Sequence, residues 1–415
     1  MPSPGPFVAR LLTVAAAAAS LCVPMSPAMA DDIRASEWPL NAQHYQADRI
    51  WEISKGGHVT VAVVDSGVAA SHPDLSGQVI AGTSLLGDGG DGRTDTSGDS
   101  HGTAIAGIIA GTGGAQGTGM TGLAPEAEIL PVRVATDGEV LPSLLARGIV
   151  WASDHGAQVI NISMGSPHPD PLLRQAVTYA LGKDIVLVSS AGNQGEGENL
   201  PMYPAAFPGV LSVSGVDETG AFWTPSESGQ GITIAAPATG IYSTSDQGRY
   251  VHSDGTSYAA AYVSAAAALV RSRDPHLTAG QTIRRLITTT TDHHERPGPR
   301  LGYGILNPLA ALTSSADPGD AENPLLKATT ASPAIPENST AVIAAVIAVP
   351  TVAFAAAVAI FVRRRRHDHA SSDQRPAAGA GSNRLKSRRR PHPKTGQSSQ
   401  QATARARNRS SARTR

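Results

Sequence analysis

Apolar residues in this chain come in short unbroken runs set between longer mixed stretches. The runs at residues 59–64, 129–134, 159–163, 185–188 and 210–216 are dominated by aliphatic side chains, with little of the in-and-out alternation of a half-exposed strand. Continuous apolar runs of this length mark strands buried on both faces, the habit of parallel sheets. Residues 101–110, 144–155, 171–181 and 258–270 lie between or after them and read as helices. Strand and helix in alternation predict an α/β fold, a mostly parallel central sheet with helices on both faces. Length alone would allow two domains. The uninterrupted alternation and the lack of an internal repeat predict one, over residues 59–312. Aromatic residues make up only 4% of the chain, and abundant Ala, Val and Gly suit close packing of helix on sheet.

The flanks are patterned differently. Residues 1–30 hold Arg10, an apolar stretch at 11–23 and Ala28-Met29-Ala30, the layout of a secretory signal peptide with its cleavage site. The single cysteine, Cys22, lies inside it behind Leu21, where a lipoprotein would need a small residue. The mature chain would therefore carry no disulfide. Residues 31–58 read as an N-terminal extension whose Trp38, Leu40, Ile50 and Trp51 can pack on the domain surface. A Pro/Ser/Ala-rich linker at 313–340 leads to 341–362, a 22-residue apolar stretch without a charge. That length crosses a hydrocarbon core of about 30 Å, so a transmembrane helix is expected. Arg363, Arg364, Arg365 and Arg366 follow at once and would hold the tail in the cytoplasm, leaving the folded domain outside a single-pass cell-membrane anchor.

Charge divides at the same place. Residues 363–415 carry 16 Lys and Arg against Asp368 and Asp373, a net of +14, which the near-zero total of −1 conceals. This basic tail has few large apolar residues and is expected to be disordered. Beside a membrane span its natural partner is anionic lipid, and no nucleic-acid role is expected.

Three polar residues interrupt the apolar pattern at telling places. Asp65 closes the first strand, His101 opens one helix and Ser257 opens another. An acid, a base and a hydroxyl are what acyl transfer requires: an imidazole to take the hydroxyl proton and a buried carboxylate to fix its tautomer. Singly, each has a plain alternative as a turn residue, a packed histidine or a helix cap. Their order, Asp then His then Ser, points to one kind of hydrolase.

The surrounding motifs carry a specific resemblance. VTVAVVDSGV around Asp65, DSHGTAIAGIIAG around His101, GLAPEAEILPVRV, VINISMGS, VLVSSAGNQG and DGTSYAAAYVSAAAALV around Ser257 occur in the order found in subtilisin-like serine proteases, the subtilases. The resemblance implies a subtilisin-like domain and an endopeptidase acting on proteins or peptides with no cofactor. It implies that the Asn193 amide and the Ser257 N–H form an oxyanion hole. By the same resemblance, Ser163, Met164 and Gly165 would pair with substrate backbone, and Ser190, Ala191 and Gly192 would form one wall of the pocket beside the scissile bond. Two positions depart from the pattern: Ala261 stands where a proline is common, and Ser264 where a glycine is. Subtilases often bind calcium in loops, but the spacing of Asp88, Asp91, Asp95 and Asp99 matches no EF-hand. A solvated loop without metal is expected there. The short extension and C-terminal anchor resemble the mycosins, membrane-anchored subtilases of actinobacterial type VII secretion, and imply a secretion membrane complex as partner. The alternative function is a structural cap on such a complex with proteolysis secondary, or a membrane-anchored subtilase outside type VII secretion.

Overall fold

The computed structural model describes residues 32–326, apart from Gln116 and residues 137–139. The expected signal peptide, the rest of the linker, the 341–362 span and the basic tail lie outside the described residues. Among the described residues no helix is long and apolar enough to cross a membrane.

Seven strands form one parallel sheet in the order β2-β3-β1-β4-β5-β6-β7. They are β1 (Thr60–Asp65), β2 (Thr83–Ser84), β3 (Glu128–Arg133), β4 (Val159–Ile162), β5 (Val186–Ser190), β6 (Leu211–Val216) and β7 (Ile234–Pro237). The five predicted runs are β1, β3, β4, β5 and β6, each within two residues of the expected ends. The reason they were continuous is visible in the packing. Val61 and Val63 of β1 join one apolar core and Ala62 and Val64 the other, so both faces of the strand are dry.

Helices cover both faces, as expected. After the short α1 (Asp32–Ser36) and α2 (Ala47–Trp51), α3 (His101–Ala110) lies on one face, and α4 (Pro142–Asp154) and α5 (Pro171–Gly182) pack together on the other. The long α6 (Thr256–Arg273) shares the α3 side and runs beneath β4, β5, β6 and β7. Its Ala-rich surface lets it sit close to the sheet, and it continues unbroken through Ala261, where proline would have removed a helix donor. The helix α7 (Ala279–Thr288) starts at a capping box between Thr278 and Gln281, and α8 (Pro308–Thr313) follows. A separate antiparallel hairpin joins β8 (Ile241–Thr244) to β9 (Tyr250–Ser253).

The N-terminal segment is more deeply placed than its sequence suggests. Leu40 and Ile50 are fully buried in the main core. Trp38 Nε1 donates to the Thr239 carbonyl at 2.9 Å, and Trp51 Nε1 to the Leu123 carbonyl at 3.0 Å. Glu37 is buried too, accepting the Thr121 N–H at 2.9 Å. Burial raises its pKa well above the usual carboxyl range, against the pull of that hydrogen bond and of Arg34. These residues are structural members of the domain.

Candidate active site

The sheet's connections run to one side of β1 through β3 and then return past it to β4. Clefts form where the order reverses, at the carboxyl ends of the strands. A cleft of about 310 Å³ lies there, lined by Asp65, Ser66, His101, Ser163, Gly165, Gly192, Asn193 and Ser257 among others.

The geometry around Asp65 is tight. Its Oδ1 meets His101 Nδ1 at 2.8 Å and accepts the Ser66 N–H at 2.8 Å, with the carboxylate wholly buried. Gly102 makes this approach feasible, since a Cβ there would lie 2.1 Å from the Gly67 carbonyl oxygen. Burial alone would lower the His101 pKa, but the Asp65 charge and hydrogen bond, aided by Asp99 and Asp95, raise it to about 9.

The first turn of α3 carries N–H groups that no helix carbonyl can reach. Side chains from neighbouring loops take them: His101 N–H donates to Ser97 Oγ, Gly102 N–H to Ser66 Oγ and Thr103 N–H to Asp95 Oδ2, at 2.9–3.1 Å. Asp95 also accepts from the hydroxyls of Ser66, Ser97 and Thr103. A carboxylate at a helix N-terminus is favoured by the helix dipole as well. Asp95 thus fixes both the helix that carries His101 and the turn that follows Asp65. The four loop aspartates have diverged into separate tasks. Asp88 pairs with Arg133, Asp91 accepts the Arg93 N–H, and Asp99 lines the cleft.

Ser257 sits in the first turn of α6, and its hydroxyl donates to the Ser163 carbonyl at 3.0 Å. Asn193 Oδ1 accepts from both the N–H and hydroxyl of Thr256, at 2.9 and 2.8 Å. With its oxygen occupied by those donors, the Asn193 amide presents Nδ2 beside Gly255. Of the six residues expected to meet substrate, Ser163, Met164, Gly165, Ser190 and Gly192 line the cleft. Ala191 does not. It is buried, with its N–H donating to the Val213 carbonyl at 2.9 Å.

Several contributors were not legible in advance. Ser264 Oγ bonds to Asn161 Oδ1 at 2.9 Å, Asn161 Nδ2 donates to Ser163 Oγ at 2.8 Å, and Ser163 Oγ donates to the Ser257 carbonyl at 3.2 Å. The departure at Ser264 is therefore one end of a buried polar chain that reaches Ser257. Ser264→Ala should leave the Asn161 oxygen without this donor and lower unfolding free energy by about 1–3 kcal/mol. Denaturant unfolding with wild-type stability would show that the bond contributes nothing. In the sequence Asp95 is only one acid in a Gly-rich loop, and Met202 and Glu227, which also line the cleft, carry no local signal.

The comparisons with known proteins place this cleft in a serine endopeptidase. The sequence model of the Subtilase family matches residues 56–305, and the chain belongs to that family. It is 35% identical to thermitase of Thermoactinomyces vulgaris over 271 residues, covering 65% of this chain and 94% of thermitase. Among solved structures it resembles MycP1 from Mycobacterium smegmatis, with a TM-score of 0.60 and 29% identity over 72% of this chain and 89% of that one. The MycP3 protease from the type VII (ESX-3) secretion system matches with a TM-score of 0.55 and 36% identity, over 65% of this chain and 86% of that one. The resemblance to mycosins thus holds in three dimensions as well as in sequence.

Proposed function

We propose that this chain is a membrane-anchored, extracytoplasmic mycosin-like endopeptidase using Asp65, His101 and Ser257 as its triad. The observation that carries the reading is the 2.8 Å bond between buried Asp65 and His101 in the same cleft as Ser257. Asp65 accepts the Nδ1 proton and so keeps Nε2 as the lone pair that receives the Ser257 proton. The Ser257 hydroxyl turns from the Ser163 carbonyl towards His101 when a substrate carbonyl enters. Oγ bonds to that carbon, and the oxyanion is held by Asn193 Nδ2 and the Ser257 N–H, a donor left unpaired at the helix start. His101 then gives its proton to the leaving amine, the acyl-enzyme forms, and water repeats the sequence in reverse. The segment Ser163, Met164, Gly165 continues β4 and offers backbone groups to an extended peptide, a strand-addition mode with broad tolerance of side chains. A fluorophosphonate probe tests the assignment: the label should map to Ser257, and a label elsewhere overturns it.

The signal peptide, the 341–362 span and the arginines after it support an outward-facing domain on a single membrane anchor. Transfer of even one Arg to the bilayer centre costs at least about 2.5–3.5 kcal/mol. The protein should remain in membranes after carbonate washing, with its basic tail protected from protease added to spheroplasts. Recovery mainly in the medium would refute the anchor. The likeness to MycP1 and MycP3 supports a type VII secretion membrane complex as the partner, and the basic tail supports contact with anionic lipid on the cytoplasmic side.

A further inference from the structure

Glu227 is a carboxylate without an obvious structural employment. It is 3% exposed, yet it lines the cleft that holds Ser257 and Asn193. Its Oε2 is buried with no hydrogen-bond partner. Burying a carboxylate oxygen without a partner is expensive, and a native fold that keeps one invites the question of what meets it. Burial raises the Glu227 pKa, against the pull of backbone hydrogen bonds from Gln194 and its own amide.

The position is informative. Oε2 lies against Gly192, where a Cβ would stand only 1.9 Å from it and 2.8 Å from Met202 Cγ. Gly192 has a φ of +110°, so its lack of a side chain serves both the backbone and the space for the carboxylate. The Glu227 N–H also donates to the Gly192 carbonyl at 3.0 Å, which ties the acid's backbone to that wall. Gly192 immediately precedes Asn193. The carboxylate therefore belongs to the wall one residue from the amide proposed to hold the scissile oxygen, in the cleft that Ser163, Gly165, Ser190 and Met202 also line. Under the triad reading, the side chain entering there is that of the substrate residue whose carbonyl is attacked, P1.

We infer that Glu227 is a specificity determinant that selects a cationic P1 side chain, lysine or arginine, by pairing its free carboxylate oxygen with the incoming ammonium or guanidinium. This rests on the triad reading for the location of P1. An ion pair formed in a closed slot relieves the desolvation of the acid and adds charge-assisted hydrogen bonds. An apolar P1 residue leaves Oε2 as buried and unpaired as before.

The test uses the full-length protein in detergent and peptides differing only at P1: Arg, Lys, Gln, Leu and Phe. Wild-type kcat/KM should favour Arg and Lys over Leu by about tenfold or more, a difference expected of a hydrogen bond to a charged group. Glu227→Gln should lower kcat/KM for Arg and Lys on the order of 10- to 100-fold while changing Leu by less than about threefold. Equal losses on all substrates, or a wild-type preference for Leu, Phe or Gln, overturn the inference. Affinity of Ser257→Ala for the uncleaved Arg and Leu peptides gives a second readout that needs neither turnover nor the Glu227 variant. Failure of the probe to label Ser257 would sink the triad reading and, with it, the placement of P1. Equal affinity for Arg and Leu peptides would sink the selectivity of Glu227 alone.

Discussion

Ser257→Ala should reduce peptide cleavage on the order of 10⁶-fold and abolish fluorophosphonate labelling, with thermal unfolding shifted by no more than a few degrees. The size follows from chemistry rather than packing. In the proposed mechanism the hydroxyl supplies the only bond to the substrate carbon, and without it the oxyanion donors and strand pairing would leave a residual catalysis of about 10³–10⁴ over water. The hydroxyl also donates to the Ser163 carbonyl, but losing one neutral bond alters stability by about 1 kcal/mol. A variant that kept a tenth of wild-type turnover would remove Ser257 from the mechanism.

Asp65→Asn should reduce turnover on the order of 10⁴-fold. An amide can offer N–H to His101 Nδ1, which forces the proton to Nε2 and leaves no lone pair facing Ser257. The same substitution should move the titration of His101. In the wild type, burial lowers the imidazolium pKa, but the Asp65 charge and hydrogen bond overcome it and raise the value to about 9. The base acts only when neutral. Wild-type kcat/KM should therefore climb with pH along a limb above the ordinary 6.5, and not reach its plateau at neutrality. The side chain is 22% exposed, so solvent screening of the outlying Asp95 and Asp99 places that limb between 6.5 and about 9. For stability the sign is the opposite. A pKa raised by folding favours the native state fully below the unfolded value, and that contribution fades as pH rises through the folded one. In Asp65→Asn the dominant raising influence is gone while burial persists, so the pKa should fall. NMR titration of the His101 ring protons measures this independently of turnover, and an unchanged value would contradict the pairing.

Much of the molecule was legible in the chain because its signals are local. The β1 run is continuous since both faces are packed, and Asp65, His101 and Ser257 each stand at the end or start of an element. The hairpin of β8 and β9 escaped notice, because Tyr250 and His252 are exposed and dilute its pattern. The helix α7 escaped through its Thr, Gln and Arg content, although its capping box was present in the letters. Asn161 and Ser264 lie 103 positions apart, and no periodicity announces that one will satisfy the other. Glu227, flanked by Ser226 and Ser228, reads as a solvated loop acid, and only closure of the fold over it withdraws it from water. Ala191, one residue past β5, is buried with its N–H on the Val213 carbonyl, a placement that its motif does not announce.

The burial of the segment before β1 bears on how such an enzyme is switched on. Many proteases wait as zymogens, silenced by a leading stretch that is later cut away. Residues 37–51 are not available for that office. Leu40 and Ile50 occupy the interior, and truncating even one such residue costs about 2–5 kcal/mol, against a total of about 5–15. Excision of this stretch would also strip the carbonyls of Thr239 and Leu123 of their indole donors. Activation by removing it would unfold the protease that it was meant to release.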